Sequence, residues 1–122
     1  MDQSYVHMVK KFSDEPGLVY KPLFIHDSYT YTGQMKEVDE TNKDLFPNAS
    51  QFRHGYGVEC MISGNKYEGY FNNDKYNGEG VYTYNWGDKY EGEWLDDYMH
   101  GKGTFTWTDG RKYEGYWVKS KI

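Results

Sequence analysis

Tyr67-Glu68-Gly69, Tyr90-Glu91-Gly92 and Tyr113-Glu114-Gly115 are the same three residues, set 23 positions apart each time (67 to 90, 90 to 113). The residues between them stay in phase. Asn77-Gly78-Glu79-Gly80 answers to His100-Gly101-Lys102-Gly103, and Gly87-Asp88-Lys89 answers to Gly110-Arg111-Lys112. Before Tyr67 the frame continues through Gly64-Asn65-Lys66 and His54-Gly55-Tyr56-Gly57 to an opening Tyr31-Thr32-Gly33. Tyr31 stands 36 residues before Tyr67, so this first unit carries 13 more residues than the others. The frame is intact on both sides, which confines them between Met35 and His54. Of the chain's 14 glycines only Gly17 falls outside the repeat positions. A fixed internal period of this length is the mark of a repeat array.

Each unit reads as two strands. The first is Tyr-x-Gly-x-aromatic: Tyr67-Gly69-Phe71, Tyr90-Gly92-Trp94 and Tyr113-Gly115-Trp117, with Tyr31-Gly33-Met35 in the first unit. Alternate residues of a strand share a face, so two large side chains flank bare glycine backbone that a ring can cover. The second strand follows Gly-x-Gly and alternates rings with Thr, Val or Asn, as in Tyr82, Tyr84, Trp86 and in Phe105, Trp107. Asn85-Trp86-Gly87-Asp88 and Thr108-Asp109-Gly110-Arg111 carry turn residues. Asn72-Asn73-Asp74-Lys75 and Asp96-Asp97 read as polar loops. The pattern predicts seven strands, near 31–36, 57–62, 67–72, 80–85, 90–95, 103–108 and 113–118. They form an all-β, elongated, twisted single-layer antiparallel sheet of consecutive hairpins. Residues 1–30 are expected to be an N-terminal extended arm. Residues 31–122 are the hairpin array, with an insertion loop at 36–53.

Aromatic residues make up 20% of the chain, with 14 Tyr and 4 Trp, so the core must be built from rings rather than branched aliphatics. A net charge of −5 argues against nucleic acid, whose affinity comes from basic patches, and disfavours a membrane lipid partner. No apolar run approaches the ~18 residues of a membrane-spanning helix. The N-terminal residues do not read as a secretory signal, so an intracellular compartment is expected. Cys60 is the single cysteine, which excludes an intrachain disulfide.

The residues Tyr90-Glu91-Gly92-Glu93-Trp94, His100-Gly101-Lys102-Gly103 and Asp109-Gly110-Arg111-Lys112-Tyr113 resemble the MORN (membrane occupation and recognition nexus) repeat family. The resemblance covers 54–122 well and 31–53 loosely, as about three full repeats and a C-terminal half repeat. It implies a twisted single-layer sheet with an aromatic groove, and a role in organising other proteins, often in cytoskeletal, ciliary or membrane-associated assemblies. Thr32, Met35, Glu59 and the insertion depart from the pattern.

No residues point to catalysis, a cofactor or a metal. Glu68, Glu91 and Glu114 each follow a lysine by two residues on one strand face, which makes a ladder of surface charges rather than an acid–base pair. His54 and His100 share a repeat position with Asn77. They lie about 20 Å apart at the strand spacing, too far to share a metal, and a turn hydrogen bond suits both residue types. The expected function is a non-enzymatic scaffold that docks other protein subunits within a larger cytoplasmic assembly, cytoskeletal or axonemal by the resemblance. A phospholipid-surface tether is the alternative, and a regulatory subunit of an enzyme complex the third. The candidate partner-binding residues are the groove aromatics Tyr82, Tyr84, Trp86, Trp94, Phe105, Trp107 and Trp117, since Tyr and Trp dominate interface hot spots. Two other segments add candidates. The insertion, acidic at first, offers Leu45, Phe46 and Phe52. The last strand, Tyr113 to Val118 with Tyr116, is an edge open to pairing with another chain. The arm, with Val19-Tyr20-Lys21-Pro22-Leu23-Phe24-Ile25 as a short strand, is expected to be held by a partner.

Overall fold

Eight antiparallel strands form one open sheet in the order of the chain: β1 (Leu18–Ile25), β2 (Tyr29–Glu37), β3 (Gln51–Met61), β4 (Lys66–Asn72), β5 (Lys75–Thr83), β6 (Lys89–Leu95), β7 (Tyr98–Thr106) and β8 (Lys112–Trp117). The structure is a computed structural model that describes residues 7–121. The sheet is the expected all-β hairpin ribbon, with one strand more than the repeat frame predicts. The additional strand is β1, which the arm contributes by pairing with β2.

Seven glycines meet in a single row across the sheet. Gly33, Gly57, Gly69, Gly80, Gly92, Gly103 and Gly115 pair each with the next from β2 to β8. The row is a channel without Cβ atoms, and tyrosine rings fill it. A Cβ on Gly80 would come within 2.3 Å of the Tyr67 hydroxyl, and one on Gly92 within 2.5 Å of the Gly103 Cα. The phenols are then tethered. Tyr31 donates to the Gln34 carbonyl at 2.7 Å, and Tyr67 and Tyr90 donate to those of Tyr70 and Glu93 at 2.8 Å. Each acceptor sits at a repeated bulge, where 54–56, 77–79 and 100–102 face a single residue of the neighbouring strand.

The rings in the channel continue sideways as a herringbone: Tyr31, Phe71, Tyr67, Trp94, Tyr90, Trp117, Tyr113. Successive rings meet edge to face at 5.1–5.5 Å with planes 83–90° apart. That geometry suits the ring quadrupoles and adds to the area buried. Trp94 and Trp117 also donate their Nε1–H to the Gly80 and Gly103 carbonyls. Tyr31, Tyr67 and Tyr90 are thereby fully buried in a sheet that has no second layer.

Several element boundaries differ from the sequence reading. Asn73-Asp74 and Asp96-Asp97 are not loops but two-residue turns with both φ values positive (49° and 70°; 45° and 73°). This turn geometry matches the twist of paired strands, so β5 and β7 begin at once, at Lys75 and Tyr98. Conversely, β5 and β7 stop at Thr83 and Thr106, and the rings of Tyr84, Trp86 and Trp107 belong to longer turns closed by Gly87 and Gly110. The insertion occupies 38–50, with β2 and β3 extended on either side.

The described part of the arm is tied to the chain's own sheet. Gln34 takes the Ser13 N–H on Oε1 and gives Nε2 to the Ser13 carbonyl, both at 2.8 Å. Glu15 pairs with Lys36 and His54, and Met8 is buried. Residues 1–6 of the arm lie outside the described residues.

Replacing Gly92 by Ala places a methyl group against the Gly103 backbone and is expected to cost about 3 kcal/mol. Tyr90→Phe, which removes only the tether, should cost about 1 kcal/mol. Urea unfolding measures both. Burial raises the phenols of Tyr31, Tyr67 and Tyr76 far above the ordinary range and that of Tyr90 to about 12. The folded state therefore holds protons that the unfolded chain releases near pH ~10, so stability is complete below that pH and falls above it. Melting followed by circular dichroism from pH ~8 upward should show a steep drop in Tm beginning near pH ~10.

Candidate functional site

Beside the herringbone, on the same face, lies a second group of rings. Tyr82 stands opposite Tyr67 and Tyr90, and Phe105 opposite Tyr90 and Tyr113. Tyr84 lies 4.8 Å from Tyr82 and 6.1 Å from Phe105, and Trp107 lies 4.7 Å from Phe105. Trp86 stacks on Tyr84 at 4.8 Å and is 59% exposed. These rings form a shelf along one margin of the sheet, backed by the rigid spine.

Hydrogen bonds between turns hold the shelf in place. Asn65 Oδ1 accepts the Asn85 N–H at 2.8 Å, and Asp88 Oδ1 accepts the Thr108 N–H at 2.9 Å one repeat later. Asp88 Oδ2 accepts from the Trp86 indole, and the Arg111 guanidinium lies 5.2 Å over the Trp107 ring.

The sequence candidates do not converge on one site. Trp94 and Trp117 are buried in the spine, Tyr82 and Phe105 are half-buried beside it, and Tyr84, Trp86 and Trp107 make the shelf. The insertion lies at the opposite margin. There Phe52 is buried with Phe46 stacked on it at 4.2 Å, while Leu45 stays exposed. Leu45 and Phe46 border an open cleft of about 510 Å³ with Asn72, Asn73, Lys75 and Asp96. At β8, Tyr113 is the last ring of the herringbone, and Tyr116 is exposed on the other face. Lys119 and Ser120 turn the chain back at positive φ, in phase with the turns at 73–74 and 96–97, and a bridge joins Val118 to Lys121.

The face opposite the rings carries the charge ladder. Lys66, Lys89 and Lys112 lie 3.9, 3.4 and 3.6 Å from Glu68, Glu91 and Glu114. His54 Nδ1 accepts the Asn73 N–H, and Asn77 gives its amide to Asp96, so both residue types do bond to the next turn. No group of three or more potential metal ligands occurs among the described residues, and none of their helices is long and apolar enough to cross a membrane.

Sequence reasoning missed one buried network. Arg53 and Glu59 occupy the repeat positions of Tyr76 and Tyr82, and of Met99 and Phe105. Both are nearly fully buried and pair at 2.7 Å. Arg53 also binds Asp74 at 2.6 Å and lies 4.3 Å over the Tyr29 ring, while Tyr76 gives its hydroxyl to Glu59. Burial alone would lower the Arg53 pKa, yet Asp74 and Glu59 hold it above its ordinary value. The frame carried the signal, since it aligns Arg53 and Glu59 with apolar residues of the later units.

The family model of the MORN repeat matches residues 52–66, 67–89 and 90–110. Residues 52–110 of this chain are MORN repeats. Two of these segments open on Tyr67 and Tyr90, the residues that begin each unit of the 23-residue frame. Among curated proteins none matches the chain. MORN repeats occur in protein-binding and membrane-associated proteins, and the module is typically non-enzymatic.

Arg53→Ala leaves Glu59 buried without its counter-charge and is expected to cost about 3–5 kcal/mol. Arg53→Met combined with Glu59→Phe, which copies the third MORN unit, should recover most of that loss. Urea unfolding of the single and double variants measures the difference.

Proposed function

We propose that this MORN-repeat chain is a non-enzymatic scaffold whose aromatic shelf docks a segment of another protein. One observation carries the reading. The herringbone satisfies its own rings, so Tyr84, Trp86 and Trp107 are not needed to close the core and are presented on a rigid backing. Rigid aromatic anchors with a polar tip are the residues that dominate protein interfaces. The exposed Leu45 of the insertion and the open side of β8 offer further contacts at other places on the ribbon. The assembly that this scaffold serves is cytoskeletal or ciliary, a reading that rests on the family resemblance.

The membrane-tether reading draws on the lysine row at 66, 89 and 112. Each of those lysines has a carboxylate within 4 Å, so the row carries little net positive charge toward an anionic surface.

Tagged full chain should be purified from cells and its partners identified by mass spectrometry, beside a Trp86→Ala, Trp107→Ala variant with native circular dichroism. Partner recovery is expected to fall by about tenfold or more, because interface aromatics commonly contribute over 1.4 kcal/mol. An unchanged partner set would remove the shelf from the reading. Sedimentation with phosphatidylserine vesicles should leave the chain in the supernatant, and pelleting would favour the tether.

A further inference from the structure

Guanidinium groups cover rings of this face in the first and third repeats, at different positions of the frame, since Arg53 aligns with Tyr76 and Met99 and Arg111 with Asn65 and Asp88. In the first, the Arg53 guanidinium covers the Tyr29 ring at 4.3 Å and is held by Asp74 and Glu59. In the third, the Arg111 guanidinium covers Trp107 at 5.2 Å, and its Nε donates to Asp109 Oδ2 at 2.8 Å. Ring, guanidinium and carboxylate are all supplied by the chain in both places.

The middle unit has two of the three parts. Its rings are Tyr84 and Trp86, stacked 25° from parallel, and Trp86 is the most exposed tryptophan of the described residues. Its carboxylate is Asp88, fixed against the same indole by the Trp86 Nε1–H at 2.8 Å. Asp88 stands at the repeat position of Arg111, so the residue that would supply the cation is replaced by an anion. Among the described residues Asp88 makes no ion pair, and no cation lies over Tyr84 or Trp86.

We infer that Tyr84, Trp86 and Asp88 form a receptor for an arginine side chain of the docked protein segment, completing in trans the ring–guanidinium–carboxylate arrangement that Trp107, Arg111 and Asp109 complete in cis one repeat later. The inference deepens the docking role proposed above and rests on it. A planar guanidinium can lie on the Trp86 face and still fork toward Asp88, whereas an ammonium is a compact, strongly hydrated point charge. The net charge of −5 draws basic segments toward the chain, and a carboxylate at the centre of the site repels phosphate groups.

The test is selection of a displayed random-sequence peptide library on the full chain, followed by affinity measurement of the enriched peptides on the wild type, Trp86→Ala and Asp88→Asn. Asp88→Asn keeps the turn, because Asn65 already fills the same repeat position and accepts the equivalent backbone N–H. The expected result is enriched peptides with an arginine at one fixed position. Replacing that arginine by lysine, or using Asp88→Asn, should weaken binding about tenfold, the size of a desolvated cation–π contact with its ion pair. Peptides that depend on Trp86 yet are indifferent to arginine and to Asp88→Asn would overturn the inference and leave the docking role standing. Absence of binders, or binders unaffected by Trp86→Ala, would overturn both.

Discussion

A phenol ring laid into a row of glycines is the contact on which the rest of this molecule depends. A single sheet normally needs a second layer to bury its apolar face. Here the second layer is drawn from the strands themselves. Glycine at Gly33, Gly57, Gly69, Gly80, Gly92, Gly103 and Gly115 removes the side chains of one row, and the rings of Tyr31, Tyr67 and Tyr90 take the vacated volume. Neither partner works alone. A glycine row without rings is weak strand backbone, and buried phenols without a nearby carbonyl would leave a hydroxyl unsatisfied. Because each spine ring meets a ring two strands on, in the next unit, cohesion passes from unit to neighbouring unit, as in other repeat arrays.

The first unit shows what a departure from this rule can add. Arg53 and Glu59 replace apolar residues beside the herringbone, and Asp74, Tyr76 and the two residues themselves supply the pair's hydrogen bonds. Such a pair contributes little net stability over apolar residues of similar size. Among near-identical units it has another effect. Hairpins that share one pattern could pair out of turn, and a buried charge accepts only the neighbour that carries its counter-charge. The network thus marks one place along the ribbon as distinct.

The period, the strand type and the identity of the rings were legible in the sequence because glycine and tyrosine recur in fixed phase. What was hidden was hidden for physical reasons. The strand at Val19 to Ile25 was legible, but β1 lies outside the frame, has no glycine, and carries Pro22 at the irregular stretch of its pairing, so its place beside β2 was not. The turns at Asn73-Asp74 and Asp96-Asp97 adopt left-handed backbone without glycine, and their polarity suggested loops. The candidate groove aromatics are divided between the spine and the shelf. Alternation along a strand told which face Trp94 and Trp107 share. Only the herringbone showed that Trp94 closes the core while Trp107 stands at its margin.

Turns are tied to one another at both margins of the ribbon, yet the margin opposite the shelf carries an insertion. Along the shelf, side chains of one turn grip the backbone of the next, as Asn65 does to Asn85 and Asp88 to Thr108, so no turn there can lengthen without pulling on its neighbour. Along the other margin, residues 38–50 are accommodated between β2 and β3 while the glycine register on either side is unbroken. That margin is the natural place to graft a reporter, an epitope or an extra recognition loop, and the shelf margin is where such surgery would scramble the fold.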